Sequence, residues 1–410
     1  MKDNNKNKTN VPNLRFPGFE EEWERKRLGE VADKVMYGMN AAAIPFDGIN
    51  KYLRITDIDD ISRRFKANPL TSPSGEIEEK YQLKVGDIVL TRTGASVGKS
   101  YLYNPNDGKL LFAGFLIKFS IINANPYFVF SQTLKSNYNK WVQKMSMRSG
   151  QPGINAEEYK DLELAFPAIS EQDKISTFLS LIDERIQCQN KIIEELKSFK
   201  SEVSRKTFSQ EFRFKDENGE DFAEWKVKKL GEVSDVRDGT HDSPKYHETG
   251  YPFITSKNLL KNGSIDFENV TFINKMDYDK FNGRSKVEIN DILFGMIGTI
   301  GNPVLVKSNG FAIKNVALIK QKDGLLNVFL IHFLKGDSIN QQFFEQNTGG
   351  TQKFLSLSII RNLSVIVPSI REQTKISDFL SGIDEKIDLE TSLLQQLKLQ
   401  KQYFLQQMFI

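Results

Sequence analysis

One cysteine, three histidines and no long apolar run set the first limits on this 410-residue chain. Cys188 has no disulfide partner, and its place in a helical pattern reads it as an inert thiol. His241, His247 and His332 show no Cys/His spacing of the kind that holds zinc. No stretch is apolar enough to cross a bilayer, and MKDNNKNKTN at the start lacks the apolar segment of a signal peptide, so a cytoplasmic protein is expected. The net charge of +3 is too small for a histone-like polycation, although it leaves room for basic residues gathered on one face.

Recognisable catalytic motifs are also missing. TGASVGKS at 93–100 imitates a phosphate-binding loop, but its first glycine, Gly94, comes one position late. The sequence that follows reads as a strand and turn rather than a helix, so a hairpin is expected there. NPYF at 125–128 resembles part of an adenine-methyltransferase motif without its second proline, and reads as a helix start. Asp57, Asp59 and Asp60 could suggest a metal site, but TSKNL in the second half lacks these acids, so a solvated edge is the simpler reading. No Ser/His/Asp or Cys/His arrangement stands out, which favours binding over catalysis.

What the sequence does contain is a second copy of itself. Trp23 leads into a LGEV segment, and Trp225 does so again 202 residues later. PAISEQDKISTFLSLIDERI from Pro167 returns as PSIREQTKISDFLSGIDEKI from Pro368, 201 residues on. Between these anchors, Asp87 and Gly94 match Asp291 and Gly298 at an offset of 204. A period of half the chain is a tandem duplication of a whole module, not a solenoid. The expected order is a polar tail (1–12), a module (13–168), a long helix (169–208), a second module (213–368) and a second long helix (370–409).

Within the modules, DIVLTRTG, KLLFAGFLIKFSI, DILFGMIG and FAIKNVALIK read as strands. PYFVFSQTLKSNYNKWVQKM and LNVFLIHFLKGDSINQQFFEQ read as helices, giving an α+β module. The first long helix carries an apolar stripe that includes Ile175, Ile182, Ile186, Ile193 and Leu196. The second carries Ile376, Ile383, Ile387, Leu394 and Leu397. Steps of three and four in a seven-residue register are a coiled-coil pattern. Gln189 and Glu390 fall at one slot of it, either as polar residues on the seam or facing solvent. About 38 residues make a rod of roughly 57 Å. Such a helix cannot bury its stripe alone. Antiparallel pairing with its copy would give a pseudo-twofold arrangement; packing on another protein is the other route.

The W-x(4)-LG-E openings (Trp23, Leu28, Gly29, Glu30; Trp225, Leu230, Gly231, Glu232) and the P-x(3)-EQ-x-KI helix starts (Glu171, Gln172, Lys174, Ile175; Glu372, Gln373, Lys375, Ile376) together carry a resemblance. From about residue 13 onward the chain is similar to the specificity subunit of type I restriction-modification systems. The first copy departs from the pattern at RSGQPGIN, whose spacing differs from TGGTQKFL in the second. The resemblance implies a non-catalytic subunit with two target-recognition domains held apart by paired helices. It implies double-stranded DNA, two modification subunits and restriction subunits as partners. S-adenosylmethionine, ATP and Mg would lie on those partners, with no cofactor or metal on this chain. Two modules of one fold would read an asymmetric bipartite target, with the helices as a ruler between half-sites.

Arg reads guanine edges best, and Asn or Gln reads adenine. The candidate DNA contacts are therefore Arg92, Lys99, Arg148 and Gln151 in the first module, with Arg63 and Arg64 as weaker ones. In the second they are Thr240, His241, Lys245, Lys257, Asn258, Gln352 and Lys353. For each, a solvated surface charge or a local cap is the competing reading. A coiled-coil interaction scaffold without DNA specificity is the alternative function.

Overall fold

A computed structural model of the protein describes residues 10–147, 152–346 and 354–410. The chain divides into two compact units, one of residues 1–190 with 392–410 and the other of residues 191–391. Each unit therefore holds one module, the opening half of the helix that follows it and the closing half of the other long helix. The long helices span Ile169–Phe208 and Ile370–Gln407.

In the first unit a four-stranded antiparallel sheet runs in the order Ala32–Tyr37, Leu116–Ile121, Asp87–Thr91, Ser100–Leu102. Glu24–Arg27 pairs antiparallel with Glu163–Phe166, so the opening of the module is tied to its close. Lys51–Leu53 pairs in parallel with Leu110–Phe112. Helices Pro126–Gln132 and Ser136–Ser146 follow the sheet. Asn125 caps the first of them by accepting from the backbone N–H groups of Tyr127 and Phe128, with Pro126 at the first helical position.

The second unit repeats this topology by itself. Its sheet runs Ser234–Asp238, Val316–Gln321, Ile292–Gly295, Gly301–Leu305. Lys226–Lys229 pairs with Ser364–Val367, and Tyr251–Thr255 pairs in parallel with Ala312–Lys314. Helices Asn327–Leu334 and Asp337–Gln346 take the place of the first module's pair. An added helix, Lys275–Ser285, was not expected from the sequence. Its apolar residues Tyr278 and Phe281 stack on Tyr251 and Phe253 rather than forming a stripe, so no periodicity announces it.

The repeated helix-start motif is a latch. Glu171, 1% exposed, takes two hydrogen bonds from Arg15, at 2.8 and 2.7 Å. Glu372, fully buried, takes Arg213 at 2.9 Å and the Trp225 indole N–H at 2.7 Å. The next residue fastens the helix to its module twice. Gln172 donates to the Pro167 carbonyl and accepts from the Asn125 N–H; Gln373 donates to the Pro368 carbonyl and accepts from the Leu326 N–H. Asp173 adds a third tie by accepting from the Asn125 side-chain amide at 2.8 Å.

The helices pair antiparallel within each unit. In the first, Phe178 meets Phe404 edge to face at 4.8 Å, and Lys401 binds Asp183 at 2.6 Å. In the second, Lys200 binds Asp384 at 2.5 Å. Of the expected seam residues, Ile175 with Leu179, and Ile376 with Leu380, bury into the module cores; Ile182 and Ile387 pack beside them. Ile193 and Leu397 are buried, Ile383 is 9% exposed, and Ile186, Leu196 and Leu394 are half-buried. Gln189 is also buried, while Glu390 pairs with Lys386 on its own helix. Leu405, Met408 and Phe409 enter the first core against Trp23 and Phe128, and Phe208 enters the second against Phe329 and Phe333.

Two stability predictions follow from this packing. Arg213→Met strands the Glu372 carboxylate without its cation, and should destabilise the second unit by about 3–5 kcal/mol. Hydrogen-exchange protection of peptides from 191–391 measures it. Burial beside the Lys200 and Lys335 ammonium groups lowers the His332 imidazole from 6.5 to about 4. The unfolded chain therefore takes the proton first as pH falls. Stability of the second unit should fall between about pH 6.5 and about pH 4, by at most ~3 kcal/mol, with no further loss from this group below that. His332→Gln should flatten that limb of the pH–stability curve.

Candidate nucleic-acid interface

The two sheets present a similar backbone at the end of their third strand and dress it differently. In the first module the Arg92 N–H donates to the Phe115 carbonyl, and the Arg92 carbonyl accepts from the Ile154 N–H at 2.8 Å. In the second the Met296 carbonyl accepts from the Leu355 N–H at 2.9 Å. Thr93 bridges Gly153, and Ile297 bridges Phe354. Arg92 and Met296 are thus counterparts at the 204-residue offset. Arg92 is half-buried, with its guanidinium 4.8 Å from the Tyr37 ring centroid. Met296 is 2% exposed.

A glycine fixes the neighbouring strand end in both copies. A Cβ on Gly38 would lie 2.2 Å from the Ala113 carbonyl oxygen, and one on Gly239 would lie 2.4 Å from that of Ile313. Only glycine allows this approach. It sets the residue before it, Tyr37 in one copy and Asp238 in the other, at the same edge. Tyr37 with Arg92 and the exposed Phe115 makes an aromatic and cationic mouth in the first module. In the second, Asp238 is bound by Arg284 and by His241 Nε2 at 3.0 Å. His241 Nδ1 lies 2.6 Å from Asn315 Oδ1, and Asn315 holds a left-handed φ of 54°.

The residues expected from sequence divide on this geometry. Arg92 and Thr240 lie at the mouths. Thr240 accepts the Asp242 N–H through its hydroxyl, and its backbone N–H donates to the Ile313 carbonyl. His241 is exposed, but both ring nitrogens are engaged. Lys245 and Lys257 are exposed and make no ion pair with any described residue. Arg148, Gln151, Gln352 and Lys353 lie outside the described residues.

Three expectations are corrected. Lys99 is buried, its ammonium donating to the Ile58 carbonyl at 3.0 Å and paired with Asp60. It closes a loop from the inside of the module. Asn258 is 6% exposed. It accepts the Thr255 N–H and donates to the Asn269 carbonyl, tying its own turn. Asp57 occupies the matching turn of the first module, buried and bonded to the Arg54 N–H and guanidinium, so it is a cap rather than a solvated edge. Of the weaker candidates, Arg64 donates to Gln187 on the long helix, and Arg63 holds a left-handed φ of 57°.

TGASVGKS is a hairpin. Gly94–Ser96 forms a single turn between the Asp87–Thr91 and Ser100–Leu102 strands, which pair antiparallel. Among the described residues no group of three or more His, Cys, Asp or Glu side chains could hold a metal ion, and no helix is long and apolar enough to cross a membrane.

Comparison with known proteins agrees with this architecture. The family described as the type I restriction modification DNA specificity domain matches twice, at residues 20–198 and 223–399. The MjaVIII type I restriction enzyme specificity subunit of Methanocaldococcus jannaschii is 23% identical, the match covering 94% of this chain and 91% of that protein. The putative MjaX specificity subunit of the same organism is 24% identical over 92% of this chain and 90% of that protein. Among solved structures, the S subunit of a type I restriction-modification system from M. genitalium has the same fold, with a TM-score of 0.62 at 17% identity, covering 98% of this chain and 99% of that one. With the domain matched in both halves, the chain belongs to the type I restriction-modification DNA specificity family, as a specificity subunit and not a catalytic one.

Proposed function

We propose that the chain reads an asymmetric, bipartite DNA target, one half-site per module, and positions two modification subunits and the restriction subunits on it. The observation that carries this reading is the pair of mouths. Similar backbone frames hold an accessible Arg92 and Tyr37 in one copy and a buried Met296 and Asp238 in the other, where Thr240 and His241 are the accessible groups. Frames that match give the same docking on the duplex; side chains that differ give different base preferences. The intervening helices act as the ruler between half-sites. S-adenosylmethionine, ATP and Mg belong to the partner subunits. An interaction scaffold without DNA specificity is disfavoured by the family assignment and has no use for paired mouths.

In the first module Arg92 is the strongest base-reading candidate, because its guanidinium lies over the Tyr37 ring, 4.8 Å from the centroid, and can make a two-pronged contact with a guanine edge. Lys245, Lys257 and Thr240 supply the polar groups of the second. Arg148, Gln151, Gln352 and Lys353 remain candidates on sequence grounds. Several of these will contact phosphates, which position without specifying.

Methylome sequencing of cells expressing the chain with its modification subunit tests the proposal. Replacing residues 213–366 with the equivalent module of a relative should change one half-site and leave the other unaltered; a change in both would overturn modular reading. Arg92→Met should relax one base pair of a single half-site, a loss of about 1–3 kcal/mol of discrimination. Asn258→Asp, which installs the first module's own turn residue, should leave the target unchanged.

A further inference from the structure

We propose that the second unit carries a binding site for a phosphate-type oxyanion, in a cleft between the closing half of the first long helix and the turn that joins helices Asn327–Leu334 and Asp337–Gln346. The cleft encloses about 370 Å³, and its walls include Lys197, Lys200, Arg205 and Lys335 with a single carboxylate, Asp337. Lys200 is committed to Asp384 and Arg205 to Glu211. Lys197 and Lys335 make no ion pair with any described residue. His332 also lines the cleft. It is 4% exposed; its Nε2 meets the Ser381 hydroxyl at 3.1 Å, while its Nδ1 is buried without a hydrogen-bond partner among the described residues. Nδ1 is 3.9 Å from the nearer Asp384 oxygen, beyond hydrogen-bond reach. In the tautomer that carries its proton on Nδ1, that buried N–H lacks an acceptor, and an oxyanion would accept from it and offset the crowded cations.

The internal duplication shows that the fold does not require this cleft to be polar. At the 201-residue offset, the first unit places Leu405 where the second has Ser204, Leu134 where it has Lys335, and Ser131 where it has His332. Leu405 and Leu134 pack into the first unit's core. Phe208 and Phe409, which are also equivalent, reach the matching residues Phe329 and Phe128. At these positions one copy packs leucines on its core and opens a neighbouring cavity beside Lys135 and Asn137, while the other turns Ser204 and Lys335 to the cleft. The open hydroxyls of Ser201, Ser204 and Ser338 add neutral donors around the same space. Three coordinate replacements of apolar or small groups by donors are what an anion site needs and what a merely solvated surface does not. This inference stands apart from base reading at the mouths, and either can fail without the other.

The test is calorimetric titration of the intact chain with inorganic phosphate and with pyrophosphate. The wild type should bind at least one of them with saturable heat. Ser204→Leu with Lys335→Leu copies the first unit's own solution, so it should fold, checked by unchanged hydrogen-exchange protection, and lose at least about tenfold in affinity. His332→Ser, again the first unit's residue, should weaken binding with the fold intact. In a competition arm, a duplex of unrelated sequence that displaces the bound anion would identify the ligand as a DNA backbone phosphate, and failure to displace it would identify a free phosphate compound. No saturable binding by the wild type, or binding undiminished in the doubly substituted chain, would overturn the proposal.

Discussion

A forty-residue helix with a single apolar stripe has no way to bury that stripe by itself, and the burial of these two stripes organises the rest of the molecule. In each unit the opening half of one helix lies antiparallel to the closing half of the other, and a Lys–Asp pair ties them: Asp183 with Lys401, Lys200 with Asp384. The ends of the helices are not separate from the modules. Phe409, next to the chain's last residue, sits in the first core with Trp23, and Phe208 sits in the second with Phe329. Each module is therefore completed by residues from both long helices.

The latch at each helix start adds direction to this pairing. A buried carboxylate is expensive unless paired and hydrogen-bonded. Glu171 and Glu372 meet that condition with Arg15 and Arg213, which come from the segment entering the module. The adjacent glutamines close on the backbone of the first short helix. The angle at which each helix leaves its module is thus set by buried polar contacts with little freedom to vary. With that frame fixed, substitutions at the mouths can change the surface that each module presents without moving it.

Much of this was legible in the sequence because the chain is duplicated. The repeated Trp–Leu–Gly and Glu–Gln–Lys–Ile segments located both modules and both helices, and the spacing of isoleucines and leucines gave the apolar face. The seam ion pairs were legible in principle, since Asp183, Lys200, Asp384 and Lys401 also repeat at 201 residues. They were missed because charged residues on a helix usually face solvent. Lys99 and Asn258 were misjudged for a different reason. A lysine or asparagine in a loop looks the same in sequence whether it points outward or ties its own turn, and only the backbone geometry tells them apart. The aspartate at residue 57, in the matching turn, was a usable clue, since Asp and Asn both accept backbone N–H groups. The added helix at 275–285 and the cleft beneath His332 depend on contacts between segments far apart in sequence, which no local pattern records.

Charge exchange across the second unit's seam tests the pairing most directly. Asp384→Lys sets two ammonium groups against each other, and Lys200→Asp sets two carboxylates. Each should lower hydrogen-exchange protection in residues 191–208 by about 1 kcal/mol after solvent screening. Made together, the two substitutions restore an opposite-charge pair, and most of the protection should return. If the doubly substituted chain instead loses the sum of the two single effects, the helices do not pair as described.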